Sequence, residues 1–153
     1  MSGMDSPPRL EVDPDADPLM QLAFTGLDHA IDSVEASGGP LIPFILTRTG
    51  DELGLERFVT DRLEEGLAAV EKHLADFTGS SHDGTDALPD GVCGAWDGYL
   101  NVEGQRTDAV FARAVDRAGN ELVLAQRYAV RGLLRKTARR VGDPALIGDN
   151  RRS

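Results

Sequence analysis

The stretch from Val92 to Arg131 constrains the fold of this chain most, because it predicts three antiparallel strands joined by two tight turns. Gly119 supplies the positive φ that a short hairpin loop requires in the second turn, and Gly104 does so in the first. The predicted strands are Val92–Val102, Arg106–Arg117 and Glu121–Val130. Both faces of the middle strand are largely apolar, which is typical of a central strand. The rest of the chain is therefore expected to pack against this meander.

The first predicted strand carries two glycines, Gly94 and Gly98, on either side of the only tryptophan, Trp96. Glycines inside a strand mark a bulge, a bend or a close backbone approach, and Trp96 is expected to cover the space that they leave. One interpretation of Trp96 is a core aromatic over a bent strand. The other is a ligand cleft bordered by Trp96 and Tyr99. The candidate cleft residues are Trp96, Tyr99, Gln126 and Arg127.

Upstream of the meander, the sequence predicts a helix and a hairpin. The helix begins at Asp17-Pro18, because Asp accepts hydrogen bonds from free backbone N–H groups and Pro is tolerated in the first turn. It ends at Gly38-Gly39. Leu41–Thr47 is predicted as a strand. Glu52–Val59 either pairs with that strand, which we prefer, or begins the next helix.

The remaining segments alternate between a second helix and polar connections. The helix is predicted from Thr60 or Asp61, with an apolar stripe and an acidic outer face. Phe77–Asp90 is rich in Gly, Ser, Asp and Pro and predicts a long loop. Residues 132–141 mix basic and apolar side chains, which favours a short basic C-terminal helix or tail.

These segments predict one α+β domain over residues 17–147, after a disordered lead-in at 1–16 and before a charged C-terminal end at 148–153. The expected architecture is a five-stranded, mainly antiparallel sheet in the order α-β-β-α-β-β-β, with both long helices packed on it. This order of elements is similar to that of profilin-like and roadblock-type domains. The resemblance implies a central sheet with helices packed against it and lies in the element order alone.

Composition limits the function classes. The net charge is −10 in 153 residues, which argues against non-specific nucleic-acid binding by the whole protein. Residues 1–90 carry 19 acidic and 5 basic groups, or −14, and residues 91–153 carry 7 acidic and 11 basic groups, or +4. No apolar run reaches the ~20 residues of a membrane helix, and no secretory signal is visible at the N-terminus. With Cys93 as the single cysteine, we expect a cytoplasmic protein without an internal disulfide.

The best catalytic constellation in the sequence is acidic and surrounds the first meander turn: Asp97, Glu103 and Asp108. Two carboxylates brought together by a hairpin can hold a divalent metal for phosphodiester chemistry. A restriction-type nuclease would also need an acidic residue and a lysine on the next strand, where this chain has Gln126-Arg127-Tyr128. The alternative is that these carboxylates solvate the turn and form surface ion pairs.

Other reactive side chains lack the partners that chemistry requires. His29 and Asp32 have the i, i+3 spacing of a metal pair, but no third ligand can be named. His73 is expected on the polar face of the second helix, and His82 lies in the long loop, where the spacing matches no zinc or EF-hand pattern. Cys93 has no neighbouring cysteine or base, and Ser80 and Ser81 have no nucleophile-elbow context. No metal and no cofactor is therefore predicted.

The sequence predicts a small cytoplasmic accessory, adaptor or regulatory protein that acts through protein–protein contacts. The partner is an unidentified protein or a second copy, which pairs through an exposed sheet edge. Two alternatives stay open. One is a metal-dependent hydrolase or nuclease-like enzyme that uses Asp97, Glu103 and Asp108, and the other is a small-ligand binder near Trp96 and Tyr99.

Overall fold

A computed structural model describes residues 17–79 and 89–151. These residues form two helices and one open, antiparallel sheet of six strands. The helices are α1 (Pro18–Ser37) and α2 (Leu63–Gly79), and the strands are β1 (Phe44–Thr49), β2 (Glu52–Arg57), β3 (Gly91–Val102), β4 (Gln105–Asp116), β5 (Glu121–Arg131) and β6 (Thr137–Asn150). The strand order is β2-β1-β3-β4-β5-β6. The predicted α+β class and antiparallel sheet are confirmed. The predicted lead-in at 1–16 and most of the predicted loop lie outside the described residues.

The number of strands is the main correction, because the sheet has six strands rather than five. Residues 137–150, predicted as a basic helix or tail and a charged end, form β6 and pair with β5. Strand β6 pairs with the edge that β5 would otherwise expose. The backbone hydrogen bonds of this ladder outweigh the weak strand propensity of residues 137–150. Pro144 lies where the register between β5 and β6 shifts, a position at which a strand tolerates proline.

Helix α1 packs on one face of the sheet, here called the first face. The Asp17 side chain accepts a hydrogen bond from the Leu19 backbone N–H at 3.0 Å, and Gly38 ends the helix in the left-handed conformation with φ 87°. Both predicted boundaries of this helix are thus confirmed. The apolar stripe of α1 is buried against strands β1 and β3 to β6. This layer holds the larger part of the core, and its sheet residues include Phe44, Leu46, Cys93, Ala95, Val110, Ala112, Leu122 and Leu124.

Helix α2 packs on the opposite, second face, over β1, β3 and one end of β4. Val70 and Leu74 are buried against Ile45, Val92 and Val115. The hairpin preferred for 52–59 is confirmed, although β2 ends at Arg57. The helix begins two or three residues later than predicted and continues through Gly79, into the segment expected to be a loop. Neither helix has an apolar stretch of the length that a bilayer crossing requires.

The two glycines of β3 are explained by close approach, one of the expected causes. A Cβ at Gly94 would lie 2.5 Å from Val70 Cγ1, and one at Gly98 would lie 3.0 Å from Phe111 Cε1. Helix α2 and the Phe111 ring therefore occupy the space above the glycines, where Trp96 was expected. The register of β3 with β4 is regular from Gly91 to Val102, so the strand has no bulge in this ladder.

Candidate functional site

Trp96 lies on the second face, at the border between the part that α2 covers and the part that it leaves open. Its indole stacks on the ring of Phe111, its register partner on β4, with centroids 5.7 Å apart and 8° between the planes. Beside Trp96 is a cleft of about 210 Å³ between the segment 41–43 and the first turns of α2. The cleft is lined by Leu41, Pro43, Leu63, Glu64, Leu67, Trp96 and Asp97. One aromatic ring thus contributes both to the packing and to the cleft.

Asp97 lies next to Trp96 in the chain but is held by long-range hydrogen bonds. Its Oδ2 accepts from the Leu41 backbone N–H at 2.7 Å, and the Tyr128 hydroxyl donates to its Oδ1 and Oδ2 at 2.7 and 2.8 Å. Burial raises the pKa of the Asp97 carboxyl, and these hydrogen bonds oppose the shift. Burial and the neighbouring Asp97 carboxylate together raise the pKa of Tyr128. The Asp97 carboxylate thus joins β3 to β5 and to the segment before β1.

The other two carboxylates of the predicted catalytic set lie elsewhere. Asp108 pairs in register with Tyr99, and so shares the first face with Asp97; its charge contributes to the raised pKa of Asp97. Glu103 is in the two-residue turn before β4, with φ 51° followed by φ 81° at Gly104, which is typical of a type I′ turn. In the described part of the chain, no three His, Cys, Asp or Glu side chains are grouped so as to hold a metal ion.

The predicted cleft residues do not surround one cavity. Because the register of β3 is regular, Trp96 faces the second side of the sheet and Tyr99 faces the first. Tyr99 is 49% exposed, and the Arg106 guanidinium lies 4.0 Å from the centroid of its ring. This is cation–π geometry at an exposed site, worth about 0.5–1 kcal/mol. Tyr99 is therefore separated from Trp96 by the sheet itself.

Gln126 and Arg127 have different roles. Gln126 is 2% exposed, and its Nε2 donates to the carbonyls of Arg127, Val141 and Gly142 at 3.0–3.1 Å. A buried amide that satisfies several carbonyls stabilises the irregular part of the β5–β6 ladder. Arg127 points to the second face, opposite Ala109, and its guanidinium lies over Gly142. Gln126 is thus a core residue, whereas Arg127 belongs to a surface.

The remaining reactive side chains that the structure describes are Cys93, His29 and His73. Cys93 is fully buried, and burial raises the pKa of its thiol to about 12, so the nucleophilic thiolate is suppressed. His29 packs edge-on against Phe44, with its Nε2 3.4 Å from Arg57 Nη2. His73 is exposed on α2, near Phe58. His82, Ser80 and Ser81 lie outside the described residues.

The second face of β3 to β6 beyond α2 forms a continuous surface, here called the open face. It includes Trp96, Leu100, Ala109, Phe111, Arg113, Glu121, Val123, Ala125, Arg127, Ala129, Arg131 and Arg139, which the strand registers place on the same side. Ala109, Phe111 and Ala125 are buried at its centre, with Trp96 and Leu100 packed on them. Arg113 pairs with Glu121. Within the described residues, neither Arg127 nor Arg131 forms an ion pair.

Sequence reasoning found Trp96, Asp97 and Arg127 but missed their partners. The signal for the Trp96–Phe111 stack was present, because a two-residue turn at Glu103-Gly104 fixes the register of β3 against β4. The partners of Asp97 had no comparable signal, since Leu41 and Tyr128 come from other parts of the chain. Comparison with known proteins finds no matching family model, no matching curated protein and no matching solved structure.

Proposed function

We propose that this protein is a small accessory, adaptor or regulatory protein that acts through contact with another protein, and that the open face binds an acidic, partly apolar segment of that partner. The observation that carries the proposal is the composition of the open face. It combines the stacked Trp96 and Phe111 pair with Arg127 and Arg131, which form no ion pair with any described residue. Aromatic residues and arginine are the side chains that contribute most to protein interfaces.

Charge indicates the chemistry of the partner. The chain as a whole is acidic, yet the open face carries four arginines, Arg113, Arg127, Arg131 and Arg139, of which Arg113 pairs with Glu121. A face that is positive on a negative protein attracts an acidic surface and orients it during encounter. The aromatic pair supplies the apolar contact that electrostatic attraction alone lacks.

A protein segment fits this face better than a nucleic acid does. Bases bind to open sheets by stacking on exposed aromatic faces. Trp96 and Phe111 already stack on each other, and Phe111 is buried, so one face of each ring is occupied. The net charge of −10 also opposes a polyanion over the rest of the surface. The proposal includes a cytoplasmic location, which the single cysteine favours.

The lone tryptophan provides the test, since Trp96 emission reports on the open face. Fluorescence titrations would use a short peptide of Glu, Asp and Leu, a peptide of Lys, Arg and Leu of equal length, and an oligothymidylate. We expect the acidic peptide to bind, with affinity reduced on the order of tenfold by Arg127→Glu with Arg131→Glu. The matched control, Arg57→Glu in β2 with Arg62→Glu just before α2, should bind like the wild type. Preference for the basic peptide or the oligonucleotide, equal loss in the control, or no binding of the acidic peptide would each refute the proposal.

A second copy is also a candidate partner, at a different surface. All six residues of edge strand β2 are exposed, and its outer edge has no partner among the described residues. A twofold axis at Gly54 would place Leu53 of each copy opposite Leu55 of the other, and Arg57 opposite Asp51. In the two-residue hairpin of β1 and β2, the backbone groups of Leu53 and Leu55 point outward, as such pairing requires.

The opposite edge of the sheet is less suited to pairing. Strand β6 has register shifts and contains Pro144, both of which protect an edge. The β2 pairing has one unfavourable feature, since Glu52 would oppose Glu56 on the second face, where salt screens the repulsion. Light scattering tests this alternative: a wild-type dimer that Leu55→Lys converts to a monomer supports pairing through β2, and a monomeric wild type excludes it.

A further inference from the structure

The loop between β5 and β6 carries a surface feature that the open face does not include. Leu133 and Leu134, within residues 132–136, are 100% and 104% exposed. Their side chains therefore contact no other described part of the protein. We call residues 132–136 the leucine tip. Two adjacent, fully exposed leucines are typical of a surface that is covered when the protein binds something apolar.

The chain segment that contains the leucine tip carries basic charges only. Residues 129–142 contain no Asp or Glu, and their basic residues are Arg131, Arg135, Lys136, Arg139 and Arg140. Arg140 turns back to α1, where its Nη2 lies 2.9 Å from Asp32 and 3.0 Å from Glu35. The other four basic side chains are exposed beside the two leucines.

The residues on both sides of the leucine tip are held by the fold. Ala138, just after the tip, is buried in the core layer of α1, and Thr137 pairs with Arg131 across the hairpin. Gly38, the C-cap of α1, lies so close to the tip that a Cβ there would be 2.6 Å from the Lys136 carbonyl oxygen. The backbone on both sides of Leu133 and Leu134 is thus tied to the sheet and to α1.

We propose that the leucine tip binds an anionic lipid surface, with Leu133 and Leu134 inserted below the headgroups and the surrounding basic side chains on the lipid phosphates. A bilayer places an apolar layer beneath a negatively charged one, which matches apolar side chains at a tip ringed by cations. An apolar groove on a protein would cover the leucines without requiring this ring. Arg131 and Arg139 border both surfaces, but the inference does not rest on the proposed function, because Leu133, Leu134, Arg135 and Lys136 are not part of the open face.

Vesicle flotation with the full chain tests the inference. We expect binding to vesicles of phosphatidylglycerol and phosphatidylcholine, and roughly tenfold weaker binding or less to pure phosphatidylcholine. Leu133→Ser with Leu134→Ser, and separately Arg135→Glu with Lys136→Glu, should each reduce binding by about tenfold or more. The matched control is Ile42→Ser with Val59→Ser, which removes two exposed apolar side chains that belong to neither the leucine tip nor the β2 edge, and it should bind normally.

A fluorescent label locates the leucines relative to the bilayer. Leu134→Cys introduces an accessible thiol, and Cys93 should stay unlabelled in the folded protein because it is buried. An environment-sensitive dye at position 134 should shift its emission to the blue on anionic vesicles. Absence of vesicle binding would overturn the inference. So would binding that survives the leucine substitutions without a dye shift, because it would be electrostatic attraction alone.

Discussion

Substitution of Asp97 by alanine tests whether the Asp97 carboxylate has a structural role or a catalytic one. In the folded protein, the Asp97 carboxylate accepts hydrogen bonds from the Leu41 backbone N–H and from the Tyr128 hydroxyl. Tyr128 is 4% exposed, so its hydroxyl has little access to water once the carboxylate is removed. The substitution therefore leaves the Leu41 N–H and the Tyr128 hydroxyl without their acceptor. It also removes the hydrogen bonds that connect β3 to β5 and to the segment before β1.

The expected loss follows from those two donors. A buried donor left without a partner costs about 1–3 kcal/mol, so two donors give a gross loss of roughly 2–6 kcal/mol. Burial of the Asp97 carboxylate raises its pKa and costs desolvation free energy in the wild type. The alanine variant does not have this desolvation cost, so its net loss of stability is smaller than the gross loss. We therefore expect Asp97→Ala to lower the free energy of unfolding by about 2–4 kcal/mol. Tyr128→Phe, which removes one donor and leaves the Leu41 hydrogen bond, should cost about 1–2 kcal/mol.

Urea unfolding measures these losses, with the slope m checking that the transition stays two-state. The double variant Asp97→Ala with Tyr128→Phe should lose about 1 kcal/mol less than the sum of the single variants, because it leaves no orphaned hydroxyl. Asp97→Asn is the conservative control, since its amide can accept from Leu41 and donate to the Tyr128 oxygen. A loss below about 0.5 kcal/mol for Asp97→Ala, or strict additivity in the cycle, would refute the structural role.

The pH dependence gives an independent check with a defined sign. Because the pKa of Asp97 is raised in the folded state, the native protein binds more protons than the unfolded chain between the ordinary aspartate pKa and the raised one. This contribution to stability is complete below the ordinary pKa and is lost as the pH rises through the raised pKa. The stability advantage of the wild type over Asp97→Asn should therefore shrink as the pH increases across that window. An advantage that grows with pH would contradict the assignment.

Three further predictions follow from packing and charge. Gly94→Ala should destabilise the fold by about 1–3 kcal/mol in urea unfolding, because its Cβ would overlap Val70 under α2; an unchanged midpoint would refute the close approach. Cys93 should resist a thiol reagent in the native protein and react after unfolding, since it is buried with a pKa raised to about 12; fast native labelling would contradict this. Arg140→Ala should lower the free energy of unfolding by about 1 kcal/mol or less at neutral pH. This loss should become smaller in acid as Glu35 is protonated, because Arg140 lowers the pKa of Glu35 in the folded protein. A loss that does not depend on pH would argue against the ion pair.

The strands of the meander could be predicted almost to the residue, because local chemistry determines them. Gly104 and Gly119 supply positive φ at the two turns, and apolar runs flank both. The cap at Asp17 and the stop at Gly38 are equally local, and both were confirmed. Each of these features depends on neighbours within a few positions, which a sequence shows directly.

Strand β6 could not be predicted, because its own residues do not specify a strand. It contains Gly142, Pro144 and Gly148, most of its side chains are exposed, and it lacks a regular apolar alternation. It is a strand because β5 offers an edge and α1 offers a surface for Ala138. The same limit applies to the site, where the hydrogen bonds of Asp97 join residues 31 and 56 positions apart.

The relation of the two helices to the sheet explains why this protein exposes the surfaces that it does. Helix α1 has 20 residues, or about 30 Å at 1.5 Å per residue, and the six strands span about 24 Å at 4.8 Å per gap. One helix can therefore cross most of one face, and α1 contacts β3 to β6 there, while α2 packs on the other face near β1 and β3. The first face of β2, and the second face of β5, β6 and the rest of β4, are left without a helix. Leu53 and Leu55 lie on the former and the arginines of the open face lie on the latter. Because the two uncovered areas differ in charge and in apolar content, one partner of uniform chemistry cannot cover both, and we expect β2 and the open face to bind independently of each other.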